Sequence, residues 1–136
     1  MKRFATFLVL LCSLGLSPLV FAAAELFDPP PVAVPSNVSE KELVKQIKKA
    51  FVGRNWSIEK EERGSIKATL YLRSHVARVS ADYTKDEVTL TYLSSENLAY
   101  KEKKGKRYIH KNYLTWIQNV RNDLNKNLQL QALDGE

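Results

Sequence analysis

Cysteine is almost absent from this chain, and histidine is scarce. The single cysteine is Cys12, inside the first apolar stretch, and the two histidines, His75 and His110, stand far apart in the sequence. One cysteine cannot form an internal disulfide, and neither histidine has a neighbour at metal-ligand spacing. We therefore predict a domain stabilised by its hydrophobic core, with no metal site and no cofactor.

The usual catalytic motifs are missing as well. The chain has no G-x-S-x-G nucleophile elbow, no glycine-rich phosphate loop and no H-E-x-x-H zinc motif. Its acidic residues mostly stand beside lysines, as in Glu40-Lys41-Glu42, which is typical of a solvated surface. We predict no catalytic residue, although folding can still bring two carboxylates together for acid–base chemistry.

Long apolar runs are confined to the start of the chain. Two basic residues precede an apolar run at positions 4–16, which is too short to span a bilayer comfortably. Three alanines at 22–24 supply the small-x-small pattern of a secretory cleavage site. We therefore predict a signal peptide at 1–24 and a periplasmic location, with cleavage after Ala22 as a close alternative.

Lipid attachment at Cys12 is the other way to process such a start. Bacterial lipidation normally requires a small residue just before the cysteine, but this position is Leu11, and the apolar run continues to Phe21. Both features argue against a lipoprotein. Removal of the signal takes away the only cysteine and two basic residues, which lowers the formal net charge of +6 by two. The remaining positive charge is compatible with anionic partners.

A proline-rich segment follows the predicted signal. Residues 25–38 contain four of the five prolines, and proline fixes an extended path and removes backbone donors. We predict a linker there, either a tether or a strap lying over the domain. We assign residues 39–130 to a single α+β domain and residues 131–136 to a C-terminal tail.

Two amphipathic helices enclose four short strands in the predicted element order. Ser39 and Glu42 form a capping box for a first helix that ends near Gly53. Four runs of alternating polarity follow, then a long polar loop at 94–108, and then a last helix over about 109–128. The predicted fold class is α+β, a four-stranded antiparallel meander with both helices packed on its one apolar face.

The alternation also predicts the strand register. A four-residue loop after Tyr83 pairs Tyr83 with Val88, and a turn centred on 74–75 pairs Leu72 with Ala77. In this register the apolar side chains of the paired strands point to the same face. The turn lacks the glycine that tight hairpins favour, which predicts a wider bend.

In an antiparallel meander, the end of the second strand, the start of the third and the end of the fourth lie at one edge of the sheet. That edge brings Arg73, His75 and Asn97 together, and Tyr100 follows in the loop. An arginine fork suits a carboxylate or phosphate, and a histidine can donate, accept or titrate. The candidate ligand-binding residues are Arg73, His75, Asn97, Tyr100 and His110. The alternative is that these side chains satisfy loop carbonyls and pin the long connection.

The lysine-rich stretch at 101–107 is a second candidate. It contains five basic residues and one acidic residue. Such a stretch can contact acidic lipid headgroups or polyanionic glycans, and a solvated loop is the simpler alternative. The predicted export disfavours nucleic acid as the partner, despite the tyrosines nearby.

One set of motifs extends through most of the chain. It runs from W and G-x-I-x-A-x-L-x-x-R-x-H-x-A-x-V to S-x-N-L-x-Y and I-H-x-x-Y-x-x-W-I. The residues that carry it are Trp56, Gly64, Ile66, Ala68, Leu70, Arg73, His75, Ala77, Val79, Tyr92, Ser95, Asn97, Leu98, Tyr100, Ile109, His110, Tyr113, Trp116 and Ile117. With these motifs the chain resembles, over about 40–125, a family of small exported or lipoprotein-like proteins of Gram-negative bacteria without an assigned activity. The resemblance implies an envelope location. The chain departs from lipid-anchored relatives because it lacks a good lipobox.

These observations favour a periplasmic, non-enzymatic binding or interaction module. We expect its partner to be an unknown envelope protein, or an anionic small molecule or glycan, recognised at one end of the sheet. Two alternatives stay open. One is a small envelope hydrolase with His75 or His110 as its base. The other is a structural subunit of an envelope complex. We predict no nucleic acid partner and no transmembrane span in the mature chain.

Overall fold

The fold consists of two helices and two antiparallel sheets, so it belongs to the α+β class, as predicted. The computed structural model describes residues 23–135, and the predicted signal peptide up to Ala22, with Cys12, lies outside the described residues. The elements in chain order are β1 (Ala23–Glu25), β2 (Val32–Ala33), α1 (Glu40–Val52), β3 (Trp56–Glu62), β4 (Ser65–Leu72), β5 (His75–Tyr83), β6 (Glu87–Glu96), β7 (Lys101–Lys103), β8 (Lys106–His110) and α2 (Lys111–Asp134).

The sheets contain more strands than the predicted four-stranded meander. One sheet has five strands in the order β2-β6-β5-β4-β3, and the other has three in the order β1-β8-β7. The prediction was wrong in this detail because Val32 and Ala33, between the prolines, keep backbone groups that pair with Val88 and Glu87. The predicted loop at 94–108 is likewise wrong, since this stretch forms the end of β6 and the β7–β8 hairpin.

The proline-rich segment lies across the domain and is tied to it at several points. Leu26 is buried in the core. Asp28 Oδ1 accepts a hydrogen bond from the backbone N–H of Tyr92 at 2.9 Å. Arg121 of α2 donates through Nε to the carbonyl oxygen of Pro30 at 2.6 Å. These contacts fix the course of the chain from β1 to β2.

The start of α1 agrees with the predicted capping box. The Ser39 hydroxyl accepts a hydrogen bond from the backbone N–H of Glu42 at 3.2 Å. Gly53 follows the helix with an ordinary φ of −63°. The left-handed residue of this connection is Asn55, with a φ of 67°. The helix therefore ends at Gly53 as predicted, and Asn55 turns the chain into β3.

The last helix is longer than predicted. It ends at Asp134, because its final turns are supported by contacts with the start of the domain. Gln46 Nε2 of α1 donates to Gln131 Oε1 at 3.2 Å. Asn37 Nδ2 donates to the carbonyl oxygen of Ala132 at 2.8 Å. These partners lie far away in the sequence and leave no local signal for the helix end.

The β4–β5 register differs by two residues from the prediction. Leu72 pairs with His75 instead of Ala77. The turn is tight although it lacks glycine, because Arg73 adopts a left-handed φ of 55°. An even shift keeps the alternation of each strand on its predicted faces. Ile66, Ala68 and Leu70 lie in the core as predicted, but Leu72, which was also predicted to point inward, is 41% exposed at the end of β4. The predicted β5–β6 register, including Tyr83 with Val88, is confirmed.

A single core joins the inward face of the five-stranded sheet to both helices. Alanines on that face, Ala68, Ala77 and Ala81, are essentially inaccessible to solvent. The helical members of the core are Leu43, Ile47, Ala50 and Phe51 of α1 and Tyr113, Ile117, Val120, Leu124 and Leu128 of α2. The outward face of the sheet and the β7–β8 hairpin thus remain for contacts with other molecules.

Candidate functional site

The predicted sheet-end residues meet where the β4–β5 turn approaches the chain after β6. His75 Nδ1 lies 2.6 Å from the carbonyl oxygen of Asn97, so this nitrogen carries the proton and donates. The Asn97 side-chain amide donates in turn to Ser74 Oγ at 2.6 Å. The structure therefore brings His75 and Asn97 together, but it uses these polar atoms to join two turns.

Arg73 is the cation of this edge. It is exposed, and it lies in the turn with a φ of 55°. Among residues 23–135, its guanidinium takes part in none of the ion pairs. Arg73 can therefore meet an external anion, but as a single charge whose neighbours His75 and Asn97 are already bonded to the chain.

Tyr100 belongs to an aromatic stack at the base of the β7–β8 hairpin. Its ring centroid lies 5.1 Å from that of Tyr92, at an interplanar angle of 12°. Its hydroxyl donates to Glu102 at 2.9 Å, and this hydrogen bond is the main reason why the pKa of Tyr100 is raised. Tyr92 in turn meets Tyr113 edge-on at 5.5 Å. The stack connects the hairpin to the core, which is a structural role for Tyr100.

His110 forms the N-cap of α2. Its backbone N–H donates to the carbonyl oxygen of Leu98 at 2.8 Å. Its Nδ1 accepts from the backbone N–H of Asn112 at 3.1 Å, so the neutral ring carries its proton on Nε2. The predicted residues are therefore distributed over a turn contact, an aromatic stack and a helix cap, and they do not share one hydrogen-bonded cluster.

The stretch 101–107, which we call the basic hairpin, carries five basic residues and one acidic residue. Lys104 and Gly105 join β7 to β8 with φ values of 51° and 75°, which is typical of a tight primed turn. Lys103 pairs with Lys106 across this turn. Two like charges therefore oppose each other directly, which is unfavourable until an anion approaches.

Lysines cover one face of the basic hairpin. Side chains alternate along a strand, so Lys101 and Lys103 share a face, and pairing adds Lys106 and Tyr108 to it. A depression of about 500 Å³ on this face is lined by Ala23, Lys101, Lys103, Lys104, Lys106 and Tyr108. All four lysines are exposed, and none of them takes part in an ion pair with another described residue.

Several basic side chains elsewhere do have acidic partners. Arg54 contacts Asp123 through two hydrogen bonds of 2.7 and 3.1 Å, and this contact lowers the pKa of the Asp123 carboxyl. Lys60 Nζ lies 2.7 Å from Glu62 Oε1, which lowers the pKa of Glu62. The basic hairpin differs from these regions because its only acidic residue, Glu102, accepts a hydrogen bond from Tyr100 and forms no ion pair with a described lysine.

A smaller cavity of about 210 Å³ lies between the start of α1 and the end of β5. Val34 and Leu43 supply apolar surface, Tyr83 lines one side, and Arg63 and Lys85 supply positive charge. Its size limits any occupant to a small group. None of the sheet-end candidates lines it.

Sequence reasoning located the lysines and the tyrosines near them, but it missed Phe27 and the face that these side chains share. Tyr108 reaches the lysine face through the β7–β8 pairing, and Phe27 reaches the hairpin because β1 pairs with β8. The pairing of Glu25 with Tyr108 joins segments that are distant in the sequence. A strand of three residues is too short for its alternation of polarity to predict which strand it pairs with. The Lys104-Gly105 pair, in contrast, is a sequence that favours a tight hairpin turn.

Within residues 23–135, no group of three or more histidine, cysteine, aspartate or glutamate side chains is placed to hold a metal ion. The helices of this part of the chain are too short or too polar to cross a membrane. Comparison with known proteins found no matching family model, no matching curated protein and no matching solved structure. The resemblance inferred from the sequence motifs remains a prediction.

Proposed function

We propose that this chain is an exported, periplasmic and non-enzymatic binding module whose basic hairpin recognises anionic groups. The observation that carries the proposal is the set of four exposed lysines on one narrow hairpin, none of which takes part in an ion pair with another described residue. Clustered cations repel one another, and a bound phosphate or carboxylate group relieves that repulsion. The proposal therefore concerns a partner with several anionic groups rather than one.

The sheet end remains the second candidate, because Arg73 is exposed there and takes part in none of the ion pairs of the described chain. A single arginine beside bonded His75 and Asn97 offers less than four lysines, since each cation near an anionic surface contributes about 1 kcal/mol. The hydrolase alternative has less support. A base must lie within hydrogen-bond reach of its nucleophile, and the hydrogen bonds of His75 and His110 go to backbone groups.

Binding to a polyanion tests the proposal most directly. We expect the variant K101Q/K103Q/K104Q/K106Q to bind soluble polyphosphate at least about tenfold more weakly than the wild type at low salt. The matched control is K41Q/K45Q/K49Q/K126Q, which removes the same charge from exposed helix positions. Both affinities are measured by fluorescence titration over a range of salt concentrations. Equal losses in the two variants would show that only net charge matters and would contradict a site at the hairpin.

The structure bears on where the proposed signal peptide would be cleaved. Ala23 and Ala24 pair with His110 and Ile109, so cleavage after Ala24 would remove two of the three residues of β1. Cleavage after Ala22 leaves β1 complete and places the new α-amino group beside the lysines, since Ala23 lines the same depression. We therefore prefer Ala23 as the first residue of the mature protein.

The intact mass of the protein from a periplasmic fraction checks this preference. We expect the mass of a chain that begins at Ala23. The mass of a chain that begins at Glu25 would show that the protein folds without most of β1. Retention of the whole signal in the cytoplasm, or a lipid mass on Cys12, would contradict export as a free protein.

A further inference from the structure

Phe27 is the most exposed large hydrophobic side chain of the described residues, with 65% of its surface accessible. The backbone on both sides of it is anchored. Leu26 is buried, and its N–H donates to the carbonyl oxygen of Arg107 at 2.8 Å. Asp28 accepts a hydrogen bond from the N–H of Tyr92 at 2.9 Å. The fold therefore holds this ring in solvent, and its exposure is not the fraying of a chain end.

The ring stands beside the basic hairpin. Glu25 pairs with Tyr108, and the hydrogen bond from Leu26 to Arg107 extends that register by one residue, which brings Phe27 to the level of Lys106. A depression of about 560 Å³ is bordered by Glu25, Leu26, Phe27, Glu102, Lys103, Lys104, Gly105, Lys106 and Arg107. This border also carries two carboxylates. That of Glu102 accepts a hydrogen bond from Tyr100. That of Glu25, which pairs with Tyr108 on the lysine face, takes part in none of the ion pairs of the described residues. An exposed aromatic ring and unpaired lysines thus share one surface.

An anionic bilayer can bind both the lysines and the aromatic ring of this surface. Lysine side chains bind headgroup phosphates while their alkyl stems lie along apolar material, and a phenylalanine ring enters the boundary between headgroups and acyl chains. Tyr108 on the lysine face adds a second aromatic side chain, and tyrosine favours the membrane interface because its ring is apolar and its hydroxyl is polar. A soluble polyanion or an anionic glycan interacts with the charges, but it offers no apolar layer for Phe27.

We infer that the basic hairpin and Phe27 together dock this protein peripherally on an anionic phospholipid bilayer. The lysines contact the headgroups, and Phe27 inserts among the upper acyl chains. This inference rests on the proposed function, because it needs the hairpin to bind anions, and it adds the identity of the anionic surface. Binding is expected to require both anionic lipid and the aromatic ring, and to weaken as salt is added.

The test uses the processed protein and sedimentation with two kinds of vesicle. One contains phosphatidylglycerol with phosphatidylcholine, and the other contains phosphatidylcholine alone. The wild type is expected to bind the first kind and not the second. We expect F27S to bind phosphatidylglycerol vesicles about tenfold more weakly while its affinity for soluble polyphosphate is unchanged.

The control for lost apolar surface is L133S, because Leu133 is 64% exposed and lies near the end of α2, away from the hairpin elements. This variant is expected to bind both probes like the wild type. F27W supplies a second measurement that keeps the ring. It is expected to retain vesicle binding, with tryptophan emission shifted to the blue only when phosphatidylglycerol is present. Thermal unfolding checks that each variant is folded.

The outcomes separate the two levels of the proposal. If F27S binds phosphatidylglycerol vesicles as tightly as the wild type, insertion of Phe27 is wrong, although the hairpin still binds anions. If the wild type binds polyphosphate but neither kind of vesicle, the bilayer is wrong and a soluble or glycan polyanion takes its place. If the wild type binds neither polyphosphate nor phosphatidylglycerol vesicles, the proposed function fails together with the inference.

Discussion

The two sheets of this protein differ in how they use their side chains. The five-stranded sheet buries the residues of its inner face against both helices. The three-stranded sheet carries the basic hairpin, where every residue of β7 is exposed. Ile109 of β8 is fully buried and connects this small sheet to the core. One sheet thus provides the stability of the domain, and the other presents charge to the surroundings.

Ion pairs follow the same division. The four ion pairs found among the described residues involve α1, β3, β5, β6, α2 and the α1–β3 connection, and none involves the three-stranded sheet. An exposed ion pair contributes little to stability, so these contacts mainly neutralise charge. The lysines of the hairpin take part in none of these ion pairs, and the proposed anion-binding site rests on this difference.

Truncating the core should produce the largest effect. Phe51 is completely buried, and its ring packs against Trp56 with centroids 5.6 Å apart. We expect F51A to lower the free energy of unfolding by about 3–5 kcal/mol, because it removes buried surface and leaves a cavity. The hairpin variant with four glutamines is expected to change it by less than about 0.5 kcal/mol.

Urea denaturation of both variants and the wild type measures these free energies. Comparable losses in the two variants would show that the hairpin is part of the stabilising structure. That result would contradict the proposed division, in which the five-stranded sheet stabilises the domain and the three-stranded sheet carries the proposed binding surface.

Local signals predicted the parts of the fold that depend on neighbours in the sequence. The capping box of Ser39 and Glu42 is a contact within one turn, and the β5–β6 register follows from alternation around a short loop. The α2 stripe of apolar residues, from Tyr113 to Leu128, also lies in the core as its spacing predicts. The structure agrees with these predictions because each feature depends mainly on residues that are close in the sequence.

The errors arise where distant segments meet. The two residues of β2 and the three of β1 pair with strands that are far away in the sequence, and such short strands carry no usable alternation. The β4–β5 register was missed because Arg73 adopts the left-handed conformation that the sequence rules reserve mainly for glycine and asparagine. Tertiary contacts decide these positions.

The candidate site shows the same limit. Topology predicted that His75 and Asn97 would lie close together, and they do. What the pair does could not be read from the sequence, since a ligand-binding histidine and one that bonds a carbonyl look alike. Phe27 shows the opposite case. The sequence gives no reason to single it out, and only the pairing of β1 with β8 places it beside the lysines.

A smaller effect than that of F51A is expected for a polar atom inside the core. The Tyr113 hydroxyl is buried and has no hydrogen-bond partner among the described residues. Y113F removes this atom and keeps the ring that meets Tyr92 edge-on, so we expect the free energy of unfolding to rise by about 1 kcal/mol. The matched control is Y92F, which loses the 2.7 Å hydrogen bond to Ser95 and is expected to be destabilised by about the same amount.

The pH dependence sharpens this prediction. Burial raises the pKa of Tyr113 in the folded state well above the value of about 10 expected in the unfolded chain. The stabilisation linked to this shift is complete below about pH 10 and is lost at higher pH, because the unfolded tyrosine ionises while the folded one stays neutral. Phenylalanine has no such ionisation, so the advantage of Y113F over the wild type should grow as the pH rises through about 10. Urea denaturation at neutral and alkaline pH measures both stabilities. A difference in stability that does not change with pH would mean that Tyr113 ionises in the folded protein as it does in the unfolded chain. A Y113F protein less stable than the wild type at neutral pH would mean that the hydroxyl of this α2 residue is hydrogen-bonded in the folded protein. Either outcome would contradict the prediction.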